Sequence, residues 1–477
     1  MPALSRAGGG RGALAIVLHT HMPYVEGFGT WPFGEEWLWE AIAGSYLPLL
    51  GLLDRGAPLT LSLTPVLCDQ LEAPELAGRF QAFVGDVRCR THSEDAAGLR
   101  AGGHDRLAAE LDRAWGDYAA AAERMDRIGG QLLRALTPYA SWTSSATHAV
   151  LPLLATGAGL REQVAAGVRS HLRRFGGWEG GFWLPECGHD PAVEPALLEA
   201  GVRAACVELT GRFGLGAREH LRPVLAESGL VLAPVDRATM SLVWSDGGYP
   251  ASGPYRDYHH HTVHHHNPWD NAGDAYDHEA AIALAREHAA DFVARTQARL
   301  RERGEGLPGG GLVVCALDTE LLGHWWYEGV AWLEAVVEEC SRQGLALVSL
   351  DEALAAAEPA ELGGQAQWGP SSWGEGGDLS TWSGPAVADM AFAARAGELD
   401  VMAAGAGAGR GAVRAMLALQ ASDWAFMIAR GIAVPYATER HAAHREMLAR
   451  ALAGEDVEAE LRGIAADADP LDFMAPL

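Results

Sequence analysis

The sequence predicts an α/β fold, a parallel sheet or barrel that carries a helical insertion and is followed by helices. Three observations predict it. Short apolar, β-branched runs bounded by turn residues recur with helical stretches between them, one stretch before residue 137 has helical periodicity alone, and strand signals stop near Ala353.

The strand-like runs are 13–18, 59–63, 139–143, 181–184, 204–207, 312–317 and 345–348. Between Leu71 and Leu136 the Ala/Leu/Arg/Glu pattern, including 107–128, reads as a helical insertion. The runs 387–396, 412–429 and 441–452 carry apolar residues at i, i+3 and i+4, and the Gly/Ala stretch 405–411 reads as a flexible connector between helices. The organisation expected is therefore residues 1–70 and 137–352 as the α/β unit, 71–136 as the insertion and 353–477 as a helical C-terminal domain.

Half of the 477 residues are hydrophobic and 21% are charged, enough for a sizeable core. The net charge of −26, with no Lys and every cation an Arg, argues against nucleic acid and anionic membranes as partners. The apolar run 13–18 is far too short to span a bilayer, so a cytoplasmic protein is expected. The six Cys are scattered without C-x-x-C spacing, which suggests neither a zinc site nor a disulfide framework. Trp is unusually frequent, with 16 residues, several in Gly-rich polar stretches where aromatic platforms suit sugar rings.

In parallel α/β folds the chemistry sits at the carboxyl ends of the strands. After the first run come His19 and His21, on one face by period-2 geometry; after the third comes His148. Glu186 follows the fourth run close to Trp183, a candidate sugar contact, and Asp318 comes just after the run 312–317. Two carboxylates ending different strands of one sheet are what glycoside cleavage requires, and in a retaining enzyme they stand about 5–5.5 Å apart. Each alone reads equally as a helix cap or an Arg partner. His19 and His21 are read as donors to sugar hydroxyls, with a zinc triad including His148 as the alternative.

The cluster His259, His260, His261, His264, His265 and His266 lies in a turn-rich stretch and is read as a solvated loop. Trp373 and Trp382, on the Gly-rich segment 371–382, are sugar platforms or a buried anchor between the domains. Trp31, Trp37 and Trp39 are similarly open, with helical packing favoured for Trp37.

These residues resemble glycoside hydrolase family 57, and within it the 1,4-α-glucan branching enzymes. The matching stretches run through most of the chain: 19–25 with EEWLWEAIAGSYLPLL at 35–50, ATHAVLPLL at 146–154, FWLPECG at 182–188, the segment 244–258, ALDTELLGHWWYEG at 316–329, SSWGEGGDLSTW at 371–382 and ASDWAF at 421–426. The resemblance implies a distorted seven-stranded (β/α) barrel with a helical insertion and a helical C-terminal domain. It implies a retaining mechanism with no metal or other cofactor, acting on α-glucan such as amylose or a glycogen-like polymer, in a protein expected to be monomeric. It assigns Glu186 as nucleophile and Asp318 as general acid/base, and lines the cleft with His21, His148, Trp269, Trp373, Trp382, Asp423 and Trp424. The family's branching enzymes carry a loop with a Tyr that shields the intermediate from water; residues 209–243 contain no Tyr, and Asp236–Arg237 reverses the family's Arg-Asp pair. Alternatives are an α-amylase-like hydrolase or 4-α-glucanotransferase on the same fold, and a non-catalytic glucan-binding paralogue.

Overall fold

The computed structural model describes residues 12–29, 34–361, 363–364 and 368–470; Trp31 lies outside them. Among the described residues ten strands form one sheet: β1 (Ala13–Thr20), β2 (Thr60–Leu63), β3 (Ala140–Ser144), β4 (Gly181–Trp183), β5 (Ala204–Val207), β6 (Val224–Leu225), β7 (Val231–Pro234), β8 (Leu312–Asp318), β9 (Ala346–Leu347) and β10 (Ala360–Glu361). Seven of them run parallel in the order β8-β1-β2-β3-β4-β5-β7. The sheet curls, and across the remaining seam Asp236 N donates to Val314 O at 2.8 Å. The result is a distorted seven-stranded barrel left open along β7 and β8. A strand ending in Pro cannot complete a ladder, which suits β7 to the seam.

Six of the seven anticipated strands build the barrel. The seventh position belongs to β7, which the apolar pattern does not single out because its four residues end in Pro234. The run at 345–348 instead yields the two-residue β9, an addition beside β1. β10 also corrects the expectation that strands stop at Ala353: it pairs with β6, which turns back antiparallel from β7. Two-residue strands carry no period and exist only through their partners.

Between β2 and β3 the described chain is helical, with Asp105–Arg127 the longest segment. After β10 come the helices Ala388–Ala404, Arg410–Leu419, Ser422–Ala429 and Val434–Leu452. The anticipated helix 412–429 is broken at Gln420–Ala421, and that break presents the residues after it to the barrel mouth. No described helix is long and apolar enough to cross a membrane. All six Cys are unpaired.

An ion pair pins the layers together. Arg174, ending the helix Gly157–Phe175, donates to Asp69 Oδ1 at 2.6 Å, and both side chains are only 2% exposed. Asp69 Oδ2 accepts from Ala465 N at 2.9 Å, so the pair joins the helix after β2, the helix after β3 and the C-terminal region. Arg174→Ala leaves a buried carboxylate unpaired and is expected to cost about 3–5 kcal/mol, read by urea denaturation at pH 8. A loss below about 1 kcal/mol would rule out this pinning role.

The stretch 259–266 is not uniformly solvated. His259, His260, His261 and His265 are exposed, but His266 is buried against His92, ring centroids 3.7 Å apart, and hydrogen-bonds Thr91 Oγ1 at 3.1 Å. His264 Nδ1 meets Asp95 Oδ1 at 2.7 Å. The polar face of the helix Cys89–Ala101 supplies these partners, which local composition does not reveal.

Candidate active site

Parallel register sets one row of the site. β1 pairs His19 with Asp318 of β8 on one side and with Ser62 of β2 on the other. Beyond β3 and β4 the chain turns sharply: His148 (φ 61°), Glu186 (φ 62°) and Cys187 (φ 49°) all adopt left-handed backbone. Such geometry is costly for side chains with a Cβ and persists where surrounding contacts hold it.

Those contacts are present at Glu186. His189 and Ser371 form an antiparallel bridge, Trp373 N donates to Glu186 O at 3.0 Å, and Trp373 Nε1 donates to Glu186 Oε2 at 2.8 Å. Arg237 Nη1 donates to Trp373 O at 3.1 Å, which gives the reversed Asp236–Arg237 pair a structural use. Asp236 is fully buried and holds Arg299 Nη2 at 2.9 Å. The C-terminal helices deliver the second oxygen's partner: Ala149 bridges Ala421, Ser422 N donates to His148 O at 3.1 Å, and Ser422 Oγ donates to Glu186 Oε1 at 3.0 Å.

Burial pushes Glu186 up to about 7, against the pull of the Trp373 and Ser422 donors. Asp318 has no hydrogen-bond partner for its carboxyl among the described residues. Burial, then the nearby Glu320 and Glu186 charges, push it well above the usual carboxylate range. Glu320, buried at 6% exposure, accepts from Tyr46 Oη at 2.6 Å and from His21 N at 3.2 Å, and burial raises it to about 7.

The three histidines differ in their hold on a proton. Burial opposes protonation of His21, but Asp423, Glu320 and Glu186 outweigh it and raise its pKa. His21 Nε2 meets Asp423 Oδ1 at 2.8 Å and Nδ1 meets Thr64 Oγ1 at 3.2 Å. His19 and His148 are held well below the ordinary histidine value by burial and by their imidazole neighbours. Atoms of His21, His148 and Asp423 lie within 4.8 Å of one another. His21 Nε2, both ring nitrogens of His148 and Asp423 Oδ1 are bonded to protein groups, while Asp423 Oδ2 has no partner among the described residues.

The aromatic residues divide. Trp373 is half-buried at the mouth, tilted against Trp183 with centroids 5.1 Å apart. Trp183 is fully buried and stacks on His19 at 4.6 Å, and Trp424 donates Nε1 to Ala418 O at 2.9 Å from within the core. These two rings pack the wall and offer no exposed platform. Trp382 is buried at 3% exposure in a small cluster with Val150 and Leu379, the anchor reading of that residue. Trp269 stacks on His260 at 3.9 Å in the His-rich loop, away from Glu186 in the contacts it makes. Asp423 Oδ2 is buried with no partner among the described residues. Trp39 is core, and Trp37 packs edge-on to Tyr436 at 5.4 Å.

Strand-end and family patterns in the sequence omit Ser422, Glu320 and Tyr46 from the site. Ser422 is signalled only by its place before Asp423 in the segment 421–426, and Glu320 by its spacing of two from Asp318. Tyr46 carries no local signal, because its role depends on Glu320, 274 residues away.

Residues 142–363 match the model for glycosyl hydrolase family 57, and residues 397–472 match one described as 1,4-alpha-glucan branching enzyme, C-terminal. The chain is 31% identical to the 1,4-alpha-glucan branching enzyme of Thermococcus kodakarensis, over 91% of this chain and 72% of that one. Its structure is similar to that of a GH57-type branching enzyme from Pyrococcus horikoshii, with a TM-score of 0.88 and 29% identity over 98% and 97% of the two chains. The α-amylase AmyC from Thermotoga maritima shares the fold at a TM-score of 0.78 and 22% identity, covering 98% of this chain and all of that one. A barrel mouth holding two carboxyls on separate strands, together with these likenesses across nearly its whole length, places the chain in glycosyl hydrolase family 57.

Proposed function

We propose that this chain is a 1,4-α-glucan branching enzyme that works by retaining double displacement. The observation that carries the reading is the match of residues 397–472 to the branching enzyme C-terminal model, because this segment carries Ser422 and Asp423, which bind Glu186 and His21. In the first step a Glu186 carboxylate oxygen attacks the anomeric carbon. The bond to the 4-oxygen breaks as Asp318 gives that oxygen its proton, leaving a β-glycosyl ester. In the second step Asp318 takes the proton of an acceptor 6-hydroxyl, whose oxygen attacks the anomeric carbon, releases Glu186 and creates an α-1,6 branch.

Opposed proton demands support these roles. Glu186 has a donor on each oxygen, while Asp318 has none and faces two other carboxyls. Asp423 Oδ2 and Trp373 supply a hydroxyl acceptor and a ring face for the sugar. The reading extends to a cytoplasmic monomer working on a glycogen-like polymer, and the net charge of −26 sets it apart from partners that are nucleic acids or anionic membranes.

A hydrolytic reading is favoured by one feature, the absence of Tyr from residues 209–243, since transfer and hydrolysis differ only in whether a sugar hydroxyl or water attacks the ester. Incubation with amylose, following α-1,6 linkages by proton NMR together with reducing ends, tests both. A rise in α-1,6 signal without matching reducing ends is the expected result, and reducing ends alone would overturn branching in favour of hydrolysis. The pH profile of kcat/KM is expected to be bell-shaped: activity rises as pH passes upward through about 7, where Glu186 ionises, and falls at higher pH where Asp318 loses its proton. A profile flat from pH 5 to 8 would contradict it.

A further inference from the structure

The sequence places His19 and His148 among the groups facing the sugar, yet the structure spends all four of their ring nitrogens on protein atoms. His148 Nδ1 meets Ser422 Oγ at 2.8 Å and its Nε2 meets His19 Nε2 at 2.9 Å. His19 Nδ1 faces Ser62 Oγ at 3.5 Å, the longest link. Ser422 Oγ in turn donates to Glu186 Oε1 at 3.0 Å. Four side chains from β1, β2, the turn after β3 and the C-terminal helices thus form one line ending on the carboxylate.

Proton counting allows this line a single arrangement while Glu186 is ionised. The carboxylate brings no proton, so the Ser422 hydroxyl spends its only one there. Ser422 Oγ then accepts, and His148 Nδ1 must carry the hydrogen. Burial and the adjacent imidazoles keep both rings neutral, so His148 Nε2 is a bare acceptor and His19 Nε2 the donor to it. His19 Nδ1 is left bare and accepts from Ser62. His21, whose pKa is raised, stacks on His148 with centroids 3.8 Å apart, which adds a further reason for His148 to stay uncharged.

We infer that Ser62, His19, His148 and Ser422 are positioning residues that form a one-directional donor relay, holding the nucleophilic carboxylate ionised and oriented, with His148 in the Nδ1–H tautomer and His19 in the Nε2–H tautomer. The inference rests on the proposed role of Glu186 as nucleophile. Hydrogen bonds given to an anion strengthen when each donor is itself polarised by the next, which a lone serine cannot supply. Besides the relay, the groups facing Glu186 are Trp373, His21, Asp423 and Asp318. None of them touches Oε1 as Ser422 does.

Two measurements test it. Nitrogen-15 NMR of the histidine-labelled protein at pH 8, with signals assigned through His19→Gln and His148→Gln, should show the resting His148 as Nδ1–H and His19 as Nε2–H. A protonated ring or the opposite tautomer at either would overturn the relay. Ser422→Ala should lower kcat about 10- to 100-fold with KM within about twofold and move the acidic limb of the pH profile upward, because the charged form of Glu186 loses a donor. An unmoved limb with wild-type kcat would overturn it as well. Ser422→Thr, which keeps the hydroxyl, should restore the limb. Should Glu186→Gln retain full turnover, the nucleophile assignment fails; the tautomers, read on the resting protein, are decided separately.

Discussion

Glu186→Gln is expected to abolish transfer and hydrolysis together, lowering turnover of amylose by at least about 10⁴-fold. The amide keeps the size of the side chain but has one acceptor oxygen where the carboxylate offers two, to Trp373 Nε1 and Ser422 Oγ, and it cannot form a glycosyl ester, so branching and reducing-end release disappear in parallel. The same variant is expected to be more stable than the parent at pH 8. Glu186 is buried at 9% exposure and titrates near 7 in the fold, well above its unfolded value, so the folded protein bears a cost when the group is ionised. A raised carboxylate value means the folded state holds the proton more tightly, and the penalty grows from pH 4.5 to about 7 and is complete above it. Removing the charge should recover up to about 3 kcal/mol at pH 8 and nothing at pH 4. Thermal unfolding of both proteins at the two pH values checks this, and a loss of stability at pH 8 would refute the account of a strained, desolvated carboxylate.

Asp318→Asn is the second large effect, a fall in kcat on amylose of about 10²- to 10⁴-fold. The carboxyl makes no hydrogen bond to the described protein, so the change disturbs little of the fold and deletes the proton that the departing 4-oxygen needs. An α-glucosyl fluoride, whose leaving group needs no proton, should lose far less in formation of the ester. Equal losses on amylose and on the fluoride would show that Asp318 is not the acid. Because Asp318 keeps its proton while Glu186 ionises, its removal should leave the acidic limb of the fluoride profile in place and abolish the alkaline limb.

Linear order carries a great deal in this chain. Apolar runs with turn residues at their ends locate six of the seven barrel strands, and the residues after them supply His19, His21, His148, Glu186 and Asp318. Strand geometry explains why: in a parallel sheet each strand delivers its carboxyl end to one face, so the residues just past each run line the mouth of the barrel. Ser422 and Asp423 are reachable only through resemblance, because the helix that bears them has no strand before it. The Trp content misleads in part as a count of exposed platforms, since Trp183 and Trp424 are buried in the core.

The chain's sequence determined its fold class, its family and the two carboxyls on which the chemistry is proposed to rest, since these arise from local periodicity and from residues at strand ends. Tertiary structure alone decided the charge and duty of each histidine. His19, His21 and His148 are the same residue type in similar local settings; one has its pKa raised by Asp423, Glu320 and Glu186 against burial, and two are kept neutral by burial and by a line of single-proton bonds. Desolvation and the count of protons in a closed hydrogen-bond line depend on groups up to 402 residues apart, which no local pattern encodes.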